Sequence, residues 1–379
     1  MRVAIGTLPL LFAVACGGTT GPEPTQTVKS KLLSSTRCAA LDGSAPSLGT
    51  WEDVTPLQVN LDAPGFGVKA FAIDPNDSAT VYLGTHAQGI YKSSDCGSSW
   101  VHINTGVYGH KLDEGRNWAM VLDPRDSSIY TVAGYGPAGV WKSTNGGVDW
   151  AQILTPNVIA VAPFKGFIET ISMDPTDPAH LIVSFHGPCA APAPARCIAE
   201  TKDSGATWNL TAHPPYHSDR DGVYILGGDT WLYGSLNGGA RGGIWRTTDA
   251  GSTWLQVSTS GASATFYHSP VTGHLFVGGA GGIQESADDG VTWKKTPNTR
   301  SFSIVGNGTT LLASNGPCLD TLLPPYEPYW VASETDPQWS VLPSPQMTGG
   351  ALYLSYDADQ GILYSSNCKA GFWRAFIGP

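Results

Sequence analysis

Five tryptophans in this chain close the same short phrase: SSDCGSSW (Ser93 to Trp100), STNGGVDW (Ser143 to Trp150), TKDSGATW (Thr201 to Trp208), TTDAGSTW (Thr247 to Trp254) and SADDGVTW (Ser286 to Trp293). A sixth, worn copy, SETDPQW, ends at Trp339. Recurrence at about 40 to 60 residues means one supersecondary unit stacked many times. Each copy lies between short runs of Val, Ile, Tyr and Trp broken by Gly, Asn and Asp. In the first unit these are VYLGTH (Val81 to His86), GIYKSS (Gly89 to Ser94) and WVHIN (Trp100 to Asn104). Such runs read as antiparallel strands joined by tight turns. Within the phrase, Asp or Asn accepts local backbone N–H bonds, Gly takes positive φ, and Trp plugs the unit. Asp95, Asn145, Asp203, Asp249 and Asp288 are therefore read as turn residues, not catalytic carboxylates.

A second marker precedes each phrase. AIDPND (Ala72 to Asp77), VLDPRD (Val121 to Asp126) and SMDPTD (Ser172 to Asp177) mark the turn between the first and second strands, with worn copies near Pro270, Asn307 and Asp359. Counting them predicts seven units, with strands starting near Val68, Asn117, Ile168, Val223, Ala264, Phe302 and Ala351. The last unit stops after its third strand, AGFWRAF (Ala370 to Phe376), while LGTWEDVTPL (Leu48 to Leu57) is a strand without a unit. Pairing the two closes a ring and removes two sheet edges. The expected fold is all-β: a single seven-bladed β-propeller of four-stranded antiparallel blades, closed by an N-terminal strand pairing with the last blade. Six or eight blades are the lesser alternatives.

The repeated phrase resembles the Asp-box, S-x-D-x-G-x-T-W, of sialidases and many other β-propellers, and the resemblance covers roughly residues 48 to 379. It implies the fold. The box is shared by sialidases, xyloglucan-cleaving hydrolases, sortilin-type receptors and photosystem assembly factors, so it leaves the activity open. The F-R-I-P motif of sialidases does not occur in this sequence. The xyloglucan enzymes are closer in repeat style, but they place paired Asp residues in a cleft between two propellers, and this chain supplies one.

Seven repeats consume nearly all of the 379 residues, so residues 48–379 are read as one domain. Net charge is −10, which argues against nucleic acid and against a basic membrane-surface patch. Arg2, the apolar run Val3 to Ala15 and then Cys16-Gly-Gly resemble a bacterial lipoprotein signal. Residues 1–15 are then a signal peptide, Cys16 is lipidated, and residues 16–47 form a flexible tether. Cleavage as an ordinary signal peptide is the alternative. Either way the protein is expected to be exported, to touch membrane only through the lipid on Cys16, and to be a monomer. The other six cysteines suit an oxidising compartment. Propeller geometry suggests the pairs Cys38–Cys96, Cys189–Cys197 and Cys318–Cys368. No CxxC occurs, no metal is expected, and no cofactor is required.

In a propeller, inter-blade loops and second-to-third-strand loops share one face, opposite the Asp-box turns. His86, His110, His186, His213 and His217 fall on that first face. One inter-blade loop offers His110, Asp113, Glu114, Arg116 and Trp118. Another offers His213, Tyr216, His217, Asp219, Arg220 and Asp221. Asn117 and Glu169 stand near the starts of inner strands, and Arg241 lies in the glycine-rich SLNGGARGG. His, Arg, Tyr, carboxylates and Trp around a mouth suit a polysaccharide or another polar extracellular ligand, because aromatic faces stack on sugar rings and Arg forks carboxylates.

If the protein is an enzyme, His110, Arg116, Glu169, Tyr216 and His217 are the catalytic candidates, with His86, Glu114, Asn117, Trp118, His186, Asp219, Arg220 and Arg241 binding substrate. A glycoside hydrolase needs two carboxylates flanking the bond. A polysaccharide lyase needs a cation against a uronate and a His or Tyr to remove a proton. The contrasting class is a non-catalytic surface propeller that binds glycan or protein. Convergence of a base with an Arg or a second carboxylate in one pocket distinguishes the two.

Overall fold

The computed structural model describes residues 38–41, 44, 49–134, 136, 138–155, 168–185, 197–214, 221–296, 301–316, 329–347 and 349–378. Their strands form seven four-stranded antiparallel sheets set in a ring, a seven-bladed β-propeller. Blade 1 is Val68–Ile73, Val81–Thr85, Ile90–Ser93 and Val101–His102, counted from the centre outward. The other inner strands are Arg116–Leu122, Ile168–Met173, Gly222–Gly227, Phe266–His268, Ser303–Gly306 and Tyr353–Asp357, starting within two residues of the expected positions. Blade 7 takes its fourth strand, Trp51–Asp53, from near the N-terminus: Trp51 pairs with Ala375, Glu52 with Arg374 and Asp53 with Trp373.

Middle strands such as Val81–Thr85 and Ile129–Gly134 are buried at every residue, because both sheet faces are covered by neighbouring blades. Outer strands such as Ala151–Leu154 keep exposed residues. The apolar cores straddle blade boundaries: Val132, Val140 and Leu154 of blade 2 pack with Leu181, Val183 and Ala199 of blade 3.

The repeated turn is built alike each time. In blade 3, Asp203 Oδ1 accepts the Thr201 hydroxyl (2.7 Å) and the Thr207 N–H (2.8 Å), and Oδ2 accepts the Thr207 hydroxyl (2.6 Å). Gly205 follows with φ of 91°, and its N–H reaches Thr201 Oγ1 at 2.9 Å. Asp95, Asp249 and Asp288 repeat the pattern. The Thr207 and Thr292 bonds hold Asp203 and Asp288 down at about 2. These carboxylates are occupied by their own turns.

The tryptophans do more than plug their own blades. The indole N–H of Trp208 donates to Ile153 O (3.0 Å) and that of Trp254 to Ala212 O (3.0 Å), each on the outer strand of the preceding blade. Trp100 donates to Val54 O at 2.7 Å. The N-terminal segment therefore offers blade 1 the acceptor that other outer strands offer their neighbours. Trp150 and Trp293 instead donate to Gly147 and Gly290 in their own turns.

A disulfide joins Cys38 to Cys96 across 58 residues, as expected. Cys197 and Cys368 are also disulfide-bonded, with partners outside the described residues, where Cys16, Cys189 and Cys318 lie. In the chain-entropy account, opening the Cys38–Cys96 loop by a double Ser substitution should cost about 4 kcal/mol. Denaturant unfolding with and without reductant measures it, and identical midpoints for the wild type and the double variant would refute it. No helix among the described residues is long and apolar enough to cross a membrane.

Blade 3 carries a buried ion cluster. His180 Nδ1 lies 3.0 Å from Asp174 and Nε2 lies 3.0 Å from Glu200. Burial alone would lower its pKa, but the bonds to Glu200 and Asp174 outweigh it and raise it. A raised His stabilises the fold below the ordinary His range and loses that contribution as pH rises through the folded pKa. Asp357, pushed to about 6 by burial, acts in the same sense, fully below its ordinary 3.8 and lost by about 6. Asp174, Asp203 and Asp288, held at about 2, act oppositely and lose their contribution as pH falls from about 4 toward 2. The His180 and Asp357 contributions should thus raise thermal stability as pH falls from above the ordinary His range toward about 4, against an opposite contribution from His86, whose pKa is lowered. The lowered carboxylates should reduce it below about 4. Scanning fluorimetry across that range tests it; a steady decline from neutral pH downward contradicts it.

Candidate functional site

The face carrying the inter-blade and second-to-third-strand loops holds one close convergence of predicted site residues among those described. Arg116 opens the inner strand of blade 2, and His86 follows the second strand of blade 1; an isolated antiparallel bridge joins them. The Phe66 N–H lies 2.9 Å from His86 Nδ1 and the Arg116 Nε–H lies 3.5 Å from His86 Nε2, so two donors are directed at one ring. Burial first, and then the Arg116 charge, lowers the His86 pKa and keeps the ring neutral at pH 7.

Aromatic rings surround the pair. The Arg116 guanidinium carbon lies 4.2 Å from the Phe66 ring centre and 5.4 Å from that of Trp118. Phe66 and Trp118 are 5.7 Å apart, tilted. Lys69 Nζ stands 3.0 Å over Trp118 and 5.6 Å from Tyr353. Gly65 makes the approach possible. Its φ is +124°, and a Cβ there would come within 1.8 Å of His86 Nδ1. Phe66 and Lys69 were not among the sequence-based candidates. The available signal was an aromatic residue between two glycines, Gly65-Phe66-Gly67, just before the first inner strand.

The other described candidates have surroundings of their own, and Trp118 belongs to the core as well as to this cluster. Asn117 was expected to face the central channel; it is only 1% exposed, and its amide donates to Thr85 O (3.2 Å) and Leu112 O (3.4 Å). Trp118 is 6% exposed and sits in the core between blades 2 and 3 as well as at the channel wall. His110 is exposed on a short 3-10 helix, Gly109–Asp113. Glu114 pairs with Lys111 (3.0 Å), and Asp113 with His102 (3.0 Å). His213 is buried and stacks on Tyr233, whose hydroxyl donates to buried Asp221 at 3.1 Å. Arg241 is exposed on the blade 4 loop. Glu169 is the second residue of the blade 3 inner strand; its side chain, like His186, Tyr216, His217, Asp219 and Arg220, lies outside the described residues.

Among the described residues no group of three or more His, Cys, Asp and Glu is arranged to hold a metal ion. The described cluster brings two cations, Arg116 and Lys69, against the rings of Phe66, Trp118 and Tyr353. Below it, the inner strands of all seven blades enclose a central cavity of about 820 Å³.

No family model matches the chain. Part of it is similar to xyloglucanases. The enzyme of Hypocrea jecorina (strain QM6a) is 24% identical over 257 residues, 58% of this chain and 30% of the relative. The xyloglucanase of a Paenibacillus species is 23% identical over 244 residues, 56% of this chain and 23% of the relative. The match thus spans less than a third of these curated relatives. Among solved structures, YCF48 from Cyanidioschyzon merolae superposes with a TM-score of 0.56 at 11% identity, over 86% of this chain and 98% of that one. At that identity the likeness is one of fold.

Proposed function

We propose that the protein is an exported Asp-box propeller that binds an acidic polysaccharide at the face carrying His86 and Arg116. The observation that carries this reading is a guanidinium set among aromatic rings on a loop face. The Arg116 guanidinium carbon lies 4.2 Å from the Phe66 ring centre and 5.4 Å from that of Trp118, an arrangement suited to a sugar ring that carries a carboxylate. The flanking Phe66 and Trp118 rings supply apolar surface of the kind that sugar rings stack on, and Lys69 adds a second cation.

The test is affinity electrophoresis in polygalacturonate against a neutral glucan. Arg116→Ala should weaken retention by the uronate polymer about 10- to 100-fold, the value of a charge-assisted bond, with little change in unfolding midpoint. Equal retention of both polymers, or an unaffected Arg116→Ala variant, refutes the reading.

A second reading, a glycoside hydrolase, is favoured by the partial likeness to xyloglucanases. It would draw its carboxylates from Glu169, Asp219 or Glu114 and its partners from Tyr216 and His217. Release of reducing ends from xyloglucan that is lost in Glu169→Gln and His217→Ala would establish it; no release would leave the binding reading. The lipid on Cys16 belongs to the same proposal. Cys16→Ser should free the protein from the membrane fraction, and unchanged fractionation would refute the anchor.

A further inference from the structure

The site above leaves the axial cavity unused. At about 820 Å³ it falls within the range of small-molecule pockets. Its wall is mixed, with an apolar majority: Phe71, Ile73, Val121, Met173, Tyr224 and Val305 line it beside Thr170, Ser172, Ser303 and Ser355, and each of the six apolar residues is only partly buried although it stands at the centre of the ring. Side chains that remain partly exposed there face the lumen.

The two mouths differ in charge. Lys69 precedes Phe71 by two residues on the inner strand of blade 1, where the register shifts between Val68 and Phe71. Its Nζ lies 5.6 Å from the ring of Tyr353, a wall residue of blade 7. At the opposite mouth the first-to-second-strand turns place Asp74, Asp357 and Asp359 in the wall. Asp357 is 4% exposed; its Oδ1 accepts the Asp359 and Gln360 N–H groups. An anion is thus attracted at one end of the cavity and repelled at the other.

We propose that the central channel binds an amphiphilic anion, an unbranched aliphatic carboxylate, with its head at Lys69 and its chain running along the apolar residues of the wall toward the acidic mouth. The chain buries methylenes against residues of several blades, and the acidic turns fix its direction. The proposal shares Lys69 and Trp118 with the polysaccharide reading, and variants at Val121 and Val305, which belong to the channel wall alone, separate the two.

The experiment is calorimetric titration of the full chain with hexanoate, octanoate, decanoate and dodecanoate below their micellar concentrations. Each added methylene should tighten binding roughly fourfold until the channel is filled. Val121→Phe and Val305→Phe narrow the lumen from separate blades. Each should remove the gain from chain length while keeping the wild-type unfolding midpoint and polysaccharide retention. Lys69→Gln should weaken decanoate about tenfold and leave decanol unchanged. Affinity independent of chain length, affinity untouched by both narrowing variants, or tighter binding of decyltrimethylammonium than of decanoate would overturn the assignment.

Discussion

Arg374→Met should destabilise the fold by about 3–5 kcal/mol, the loss seen when one partner of a buried ion pair is removed. Arg374 is fully buried, on the third strand of blade 7. Its Nε donates to Glu52 Oε2 at 2.8 Å, one terminal nitrogen to Cys96 O at 2.7 Å, and the other to Ala39 O at 2.7 Å. One side chain thus grips the closing strand, the segment before it and the first repeated turn. The Tyr364 hydroxyl adds a 3.2 Å bond to Cys96 O. Met fills similar volume but leaves Glu52 without its cation, Ala39 O without the Arg374 N–H, and Cys96 O with the Tyr364 hydroxyl alone. Denaturant unfolding gives the number. Adding Glu52→Leu to Arg374→Met should recover part of the loss, because the stranded carboxylate is removed as well. A loss below about 1 kcal/mol would mean that the ring is held shut by β-pairing and apolar contact alone.

Trp150→Ala should cost about 3–5 kcal/mol, as large core aromatics do. Trp150 is 2% exposed and packs in a cluster that joins Ile103 of blade 1 to Ile129 and Trp141 of blade 2. Its N–H donates to Gly147 O at 2.7 Å. Gly147 has φ of +89°, and a Cβ there would meet Ile103 Cδ1 at 2.2 Å, so this turn is seated directly on its neighbour. Trp150→Phe should lose less, since most apolar contact survives and only the indole bond goes. If the two variants unfold alike, the cavity account is wrong. Trp100 is less buried and also donates across a blade boundary, so Trp100→Ala tests the link to Val54 with a smaller packing loss.

The blade count was legible because each blade needs the same local chemistry. A Ser or Thr hydroxyl, an Asp carboxylate and a Gly at positive φ close a turn using neighbours within a few residues, and such bonds are written contiguously. The closing strand was legible by subtraction, from a last unit short of one strand. The direction of Trp100, Trp208 and Trp254 was not, because their acceptors lie 46, 55 and 42 residues away.

For the candidate site, the residue types and the face could be read, but not the partners. His86 and Arg116 were named separately, and their meeting across 30 residues is a product of blade packing. Asn117 shows the opposite failure. Its position at the start of an inner strand suggested the channel, yet the strand's register shifts between Asn117 and Ala119 and the amide is used beneath blade 1. Phe66 and Lys69 escaped notice because nothing nearby marks them.

Periodicity alone determined a closed ring of seven β-sheets, since repeated turns and one orphan strand admit few other arrangements. The tertiary structure alone decided which side chains share a site and which line the axial cavity. Those depend on contacts between blades far apart in sequence, where a rotation of one side chain turns a ligand-facing group into a packing group.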